Sequence, residues 1–199
     1  FSIYCKEIIR AKTMIKERIH TAYEFAKAKH AGQKRKNSNL DYFTHPKYVA
    51  RIVEQITSNE KLVSVALLHD VLEDTDTTYS ELVDIFGEEI AGLVYELTNK
   101  SEERNGRKKK DYILDKMAKM SDEALLVKLA DRLHNVLFLE KDGHDADDFT
   151  IYYYTNTDFI LKKLKSARFS QGLGFTEEHK ALIKQVEKVL GFLKARYNL

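Results

Sequence analysis

The fold is decided by the stretch EKLVSVALLHDVLE at residues 60–73. Residues 62–68 are apolar apart from one serine, so a helix formed here has no polar face to turn toward water. Such a helix belongs at the centre of a helical bundle. The stretch continues with His69, Asp70 and Glu73, whose polar groups need compensating partners if they are buried with it.

The sequence around this stretch also favours helices. One proline and eight glycines in 199 residues leave long segments with apolar residues at helical spacing and little strand-type alternation. We predict an all-α fold, a bundle of roughly eight to ten helices, in a single domain that covers residues 1–199. The motif-bearing core spans about residues 20–140, and C-terminal helices follow over about 149–199.

Composition narrows the class of protein. Apolar residues make up 43% of the chain, which is enough for a core, and the net charge of +2 argues against a general nucleic-acid binder. The single cysteine, Cys5, cannot form an internal disulfide, which predicts a reducing compartment and a cytoplasmic protein. We find no apolar run long enough to span a membrane and no signal-peptide pattern at the start.

Four residues of metal-binding type are spread over about ninety positions: His45, His69, Asp70 and Asp131. Two imidazoles and two carboxylates form a mixed nitrogen and oxygen donor set that suits a divalent cation. A cation with open positions can hold a phosphate oxygen and activate water. The residues therefore predict a metal-dependent phosphohydrolase, although any single His–Asp pair can equally be a satisfied hydrogen bond in a protein core.

Further polar residues share helix faces with these four. Glu73 lies four residues after His69, Asp74 follows it, and Asn135 lies four residues after Asp131. The ordered occurrence of all these groups on apolar helices favours a common cation over separate core hydrogen bonds.

Four blocks of this sequence resemble those of a known protein family. They are AKAKHAGQKRK at 26–36, YFTHPKYVA at 42–50, ALLHDVLEDT at 66–75 and VKLADRLHN at 127–135. In these blocks the chain closely resembles the (p)ppGpp hydrolases of the RelA/SpoT type within the HD superfamily, including the small stand-alone SpoT-like hydrolases. The resemblance implies an HD-domain helical bundle that hydrolyses the 3′-diphosphate of (p)ppGpp to GDP or GTP and pyrophosphate.

The resemblance also implies roles for individual residues. The metal ligands are His45, His69, Asp70 and Asp131, and the ion is Mn2+, with Zn2+ or Fe2+ possible as isolated. The acidic pair that positions or activates the attacking water is Glu73 and Asp74. The substrate contacts are Arg35, Lys36, Asn135 and, among three consecutive tyrosines, Tyr154.

Several alternatives remain open at this point. The basic residues of 100–110 form either a clamp on substrate phosphates or a solvated charge run. The substrate is guanosine polyphosphate, or alternatively NADPH or another 3′-phosphorylated nucleotide, or the chain is a catalytically silent nucleotide-binding module. The oligomeric state is undetermined. We expect two of the tyrosines at 152–154 to pack in the core, and His20, His144 and His179 to be exposed.

Overall fold

The computed structural model describes residues 3–36, 38–139 and 146–199, with side chains described from residue 16 onward. The chain divides into two compact units, Phe1–Thr98 and Asn99–Leu199. Within the described residues all regular elements are helices, and the only β-type pairing is an isolated bridge between Lys34 and Asp41. The all-α prediction is confirmed, whereas the single domain over 1–199 stays a prediction.

The described residues of the first unit form six helices, three of them following one another closely before residue 75. They are α1 (Ile3–Lys29), α2 (Thr44–Ile56), α3 (Glu60–Leu68), α4 (Val71–Asp74), α5 (Tyr79–Phe86) and α6 (Glu88–Leu97). Every residue of α3 from Leu62 to Leu68 is buried, as its lack of a polar face predicts. It packs against α1, α2 and α6, which places it at the centre of this unit.

The helix predicted over residues 60–73 is wrong in one respect, because it is interrupted. It ends at Leu68, His69 and Asp70 form a turn, and α4 begins at Val71. Asp70 has φ −104° and ψ −4°, close to helical values but outside the regular helix. Because of this interruption, the neighbouring polar residues His69 and Asp70 lie outside the apolar helix α3.

Outside residues 140–145, the second unit forms five helices, the first of them a single turn within the basic segment. They are α7 (Ser101–Arg104), α8 (Lys109–Lys119), α9 (Asp122–Leu137), α10 (Asp148–Ser170) and α11 (Glu177–Tyr197). Ser121 caps α9 as its hydroxyl accepts from the Ala124 N–H. Helix α8 packs against α10, and α9 packs against α11.

Three histidines were expected to be exposed, and the structure bears on two of them. His20 is exposed, as expected. The expectation for His179 is wrong: its side chain is fully buried, because Nε2 bonds to the Asp122 carbonyl and Nδ1 accepts from the Thr176 N–H. His144 and the side chain of Cys5 lie outside the described residues.

No helix among the described residues has the length and apolar character that crossing a bilayer requires.

Candidate metal centre

Two buried imidazoles face each other in the first unit. His45 lies in the first turn of α2, His69 directly follows α3, and their Nε2 atoms are 3.3 Å apart. The Nδ1 atom of His69 lies 2.7 Å from the main-chain oxygen of Ala66. Because a carbonyl oxygen only accepts hydrogen bonds, Nδ1 carries a proton. In the neutral ring Nε2 then presents its lone pair toward His45, the state in which imidazole binds a metal.

Asp70 brings a carboxylate to the same point. Its Oδ2 atom lies 3.0 Å from Nε2 of His69 and 3.6 Å from Nε2 of His45. A nitrogen lone pair and a carboxylate oxygen at this separation repel each other unless a cation or a proton lies near both. The donor set of two imidazoles and one carboxylate therefore fits a divalent metal ion.

Tyr42, to which the sequence analysis assigned no role, joins two acidic side chains of this cluster. Its hydroxyl lies 2.6 Å from Oδ2 of Asp70 and 2.9 Å from Oδ2 of Asp74. Burial and the charges of both carboxylates raise the pKa of the Tyr42 hydroxyl, so it is protonated and donates at neutral pH. The available signal was its position three residues before His45, in the turn that precedes α2.

Asp74, one member of the predicted acidic pair, accepts a hydrogen bond from Tyr42. Although its side chain is exposed overall, partial loss of water around its carboxyl group and the nearby charge of Asp70 raise its pKa. The hydrogen bond from Tyr42 opposes this rise. Glu73 has an exposed side chain on α4, so its predicted part in activating water stays a prediction.

The two predicted substrate contacts of this unit differ in burial. Arg35 is 9% exposed, and its guanidinium carbon lies 6.0 Å from the centroid of the Tyr42 ring. Lys36 is exposed. The structure thus connects Arg35 to the cluster through Tyr42, while the substrate roles of both residues stay predictions.

In the second unit, Asp131 and Asn135 lie on one face of α9, as their spacing predicts. The amide of Asn135 donates to Oδ1 of Asp131 at 2.5 Å. Lys128, which the sequence analysis missed, forms a buried ion pair with Oδ2 of Asp131 at 2.9 Å. Its spacing of three residues from Asp131 was the only signal. The carboxylate is thereby oriented within its own helix.

The three consecutive tyrosines of α10 are not core residues. Tyr152 is 51% exposed, while Tyr153 and Tyr154 are half-buried. The expectation that two of them pack in the core is wrong, because successive side chains on a helix point about 100° apart. Partial burial and the charge of Asp158 raise the pKa of Tyr154. Its predicted contact with substrate is not tested by these positions.

The basic segment 100–110 balances part of its own charge. Lys100 pairs with Glu103 at 3.2 Å, and Arg107 pairs with Asp115 at 3.4 Å. Lys110 lies over the ring of Phe159, 4.3 Å from its centroid. These contacts fit a solvated charge run, and the alternative interpretation as a phosphate clamp stays a prediction.

A protein-family model described as HD domain matches residues 22–152 of this chain. That range includes all four residues predicted as metal ligands and the helices that carry them, from the end of α1 to the start of α10.

Curated relatives are similar over the same region. A guanosine-3′,5′-bis(diphosphate) 3′-pyrophosphohydrolase of Spiroplasma citri is 40% identical over 136 residues, 66% of this chain and 18% of that protein. The bifunctional (p)ppGpp synthase/hydrolase SpoT of Escherichia coli K12 is 37% identical over 126 residues, 60% of this chain and 18% of that protein. The chain thus spans about a fifth of the length of these curated relatives.

A solved structure matches over most of both chains. It is a protein described as a metazoan ortholog of SpoT that hydrolyses ppGpp, with a TM-score of 0.70 and 26% identity. The match covers 86% of this chain and 94% of that one.

Proposed function

Because the chain belongs to the HD domain family, we propose that it is a metal-dependent phosphohydrolase that removes the 3′-diphosphate of guanosine-3′,5′-bis(diphosphate). Water is added across the bond to the 3′ oxygen, GDP is released, and the other product is pyrophosphate; pppGpp gives GTP in the same way. The cluster of His45, His69 and Asp70, with Nε2 atoms 3.3 Å apart and a carboxylate oxygen beside them, is the observation that carries the proposal.

Similarity supports the choice of substrate. The relatives named for the guanosine-3′,5′-bis(diphosphate) 3′-pyrophosphohydrolase reaction are about 40% identical to this chain, and the structural relative described as hydrolysing ppGpp matches 86% of it. Since the chain covers only about a fifth of the curated proteins, the activity is carried over from the matched region alone.

We assign the metal to His45, His69 and Asp70 from the first unit, with Asp131 of the second unit as the fourth ligand. The family match that extends across residues 22–152 supports a common site for all four. The proposed ion is Mn2+, with Zn2+ or Fe2+ as alternatives, because nitrogen and oxygen donors limit the identity only to this group. When bound, such an ion would neutralise phosphate charge and lower the pKa of a bound water.

The protein side chains have separate tasks in this proposal. His69 is held by the Ala66 carbonyl with its Nε2 atom toward His45, an orientation that supports its proposed role as a ligand. Asp74, whose pKa is raised, accepts a proton from the attacking water, and Glu73 at the same helix end helps to position that water. Arg35, Lys36, Asn135 and Tyr154 contact the nucleotide.

The test measures pyrophosphate release from ppGpp and metal content in the same preparations. We expect the Mn2+-loaded wild type to turn ppGpp over, and Asp70→Ala to lose both the metal and the activity. Asp84→Ala is the matched control, because Asp84 is an exposed aspartate on α5 of the same unit.

The other outcomes discriminate among the alternatives. Turnover of NADPH or another 3′-phosphorylated nucleotide, with none of ppGpp, replaces the substrate but keeps the metal chemistry. Binding of ppGpp without hydrolysis in the presence of Mn2+ identifies a nucleotide-binding module. An active, metal-free Asp70→Ala protein rejects the mechanism itself.

A further inference from the structure

We infer that Tyr42 is a positioning residue, whose hydroxyl holds the carboxylates of Asp70 and Asp74 in one fixed arrangement beside the two imidazoles. Through Asp70, Tyr42 would raise the affinity of the cluster for metal, which requires only that the cluster binds a divalent ion. Through Asp74, it would raise the rate of turnover, and this part of the inference rests on the proposed function.

The Tyr42 hydroxyl donates to the carboxylates of both Asp70 and Asp74. It lies 2.6 Å from Oδ2 of Asp70 and 2.9 Å from Oδ2 of Asp74, so both oxygens surround one proton. The Asp70 oxygen in this contact is the same Oδ2 that faces His69 and His45. Two carboxylates this close repel each other, and a donor between them offsets part of that repulsion.

The position of the Tyr42 ring is itself fixed by its surroundings. The buried ring of His30 lies against it at a centroid distance of 4.9 Å, and the ring of His45 lies at 6.0 Å. The main-chain N–H of Tyr42 donates to Gln33, and its carbonyl accepts from the N–H of His45. The phenol therefore cannot turn away from the carboxylates without disturbing the segment that carries His45.

A second connection ties the same segment to the end of α4. The amide nitrogen of Gln33 donates to the Asp74 carbonyl at 2.8 Å, and its oxygen accepts from Nδ1 of His30 at 2.8 Å. The main chain of Asp74 and its carboxylate are thus held by one group of residues, with Tyr42 as its hydroxyl donor. A side chain in this place orients a ligand from outside the ligand set, as hydrogen-bonding partners of metal ligands do.

The test compares Tyr42→Phe with Tyr23→Phe. Phenylalanine keeps the ring that packs against His30 and removes only the hydroxyl. Tyr23 is a half-buried tyrosine of the same unit whose ring lies edge-on to Phe43 at 4.9 Å, which makes it a matched control. Mn2+ affinity is measured by calorimetric titration of metal-free protein, and kcat and KM for ppGpp are measured per bound Mn2+. Circular dichroism gives the folded fraction to which all values are normalised.

In Tyr42→Phe we expect a dissociation constant for Mn2+ about tenfold higher, and a kcat about 10- to 100-fold lower, the range found for hydrogen-bonding partners of metal ligands. KM stays unchanged, because no substrate contact is removed, and Tyr23→Phe matches the wild type in every value. A merely structural role would lower the folded fraction without changing these normalised quantities.

Wild-type Mn2+ affinity in Tyr42→Phe overturns the inference, and so does a wild-type kcat. If the unmodified protein does not hydrolyse ppGpp, the proposed function fails, but the Mn2+ titrations of the two variants still decide the inference through Asp70.

Discussion

At the scale of single residues, His69 shows how the main chain prepares a side chain for metal binding. The Ala66 carbonyl lies in the last turn of α3, where carbonyl oxygens lack partners within the helix. Because α3 ends at Leu68, that oxygen accepts from Nδ1 of His69 at 2.7 Å. The break in the helix therefore releases the His69 side chain and also supplies the acceptor that orients it.

Asp131 is oriented differently, by side chains of its own helix. The carboxylate accepts from Asn135 through one oxygen and pairs with Lys128 through the other. Lys128 and Asp131 are both about 6% exposed, so neither charge is compensated by bulk water. A buried carboxylate that loses its partner is costly, because its desolvation is no longer offset.

We expect Lys128→Met to lower the free energy of unfolding by about 3–5 kcal/mol, the usual cost of breaking a buried ion pair. The measurement is urea denaturation with a chelator present, so that a bound cation does not replace the lost charge. Lys119→Met serves as the control, because Lys119 pairs with Asp115 at the surface. An equal loss in both variants would contradict the buried role of Lys128.

At the scale of elements, the two C-terminal helices are held to the end of α8 and the start of α9 by buried polar groups. Arg168 of α10 is fully buried and donates to the carbonyls of Met120 and Gly174, at 2.7 and 2.8 Å. It also pairs with Asp122 at 2.7 Å. The Met120 carbonyl lies at the C-terminal end of α8, where carbonyl oxygens lack partners within the helix, and Arg168 supplies its donor.

His179 completes this arrangement from α11. Its Nδ1 accepts from the Thr176 N–H, while the Thr176 hydroxyl accepts from the His179 N–H, so the two residues form a reciprocal cap. Nε2 donates to the Asp122 carbonyl at 2.8 Å. The neutral ring thus has both nitrogens paired, and adding a proton at Nδ1 would break the bond from Thr176.

This arrangement predicts a pH dependence of stability. Burial lowers the pKa of His179 from its usual value of 6.5, with the Asp122 carbonyl opposing the shift. Because the folded-state pKa lies below that of the unfolded chain, the unfolded state takes up the proton first. The stability contribution is therefore complete above the unfolded pKa and declines as the pH falls below it toward the folded pKa.

We expect His179→Gln to lose less stability than the wild type when urea unfolding at about pH 5.5 is compared with about pH 7.5, on either side of the ordinary histidine pKa. Glutamine at this position can still reach back to the Thr176 N–H as part of a capping box. His20→Gln is the control, because His20 is exposed and should leave the pH dependence of the wild type intact. Identical pH dependence in His179→Gln and the wild type would exclude this origin.

At the scale of the whole molecule, binding of an ion to the folded state should be visible in global stability. An ion that binds only the folded protein adds about 2.7 kcal/mol when its concentration is a hundred times its dissociation constant. We expect Mn2+ to raise the Tm progressively with its concentration, since the proposed ligands His45 and Asp131 come from distant parts of the sequence. Asp70→Ala should show no such rise, and an equal rise in that variant would place Mn2+ elsewhere.

The net charge of the whole molecule would do little to attract the proposed substrate. The net charge is +2 for 199 residues, with 33 basic and 31 acidic side chains. Affinity for the proposed nucleotide with two diphosphates must then come from local groups rather than from a broad positive field.

Much of the helical organisation follows from local pattern and composition. Ser121 and Thr78 act as N-caps of α9 and α5, and capping and apolar spacing are short-range effects that a local pattern can predict. The helix break at His69 was not predictable in this way. Residues 60–73 favour a continuous helix, whereas the structure has a turn at His69 and Asp70 between α3 and α4.

The amino-acid sequence predicts the class of the fold, the central position of α3 and the residue types of a nitrogen and oxygen metal site, because periodicity and chemical type are properties of the chain. Which side chains meet depends instead on the folded arrangement. Tyr42 reaches Asp70 and Asp74 across 28 and 32 positions, and Arg168 reaches the Met120 carbonyl across 48. Such contacts depend on how helices pack and turn in three dimensions, and no local pattern predicts contacts between residues so far apart in the sequence.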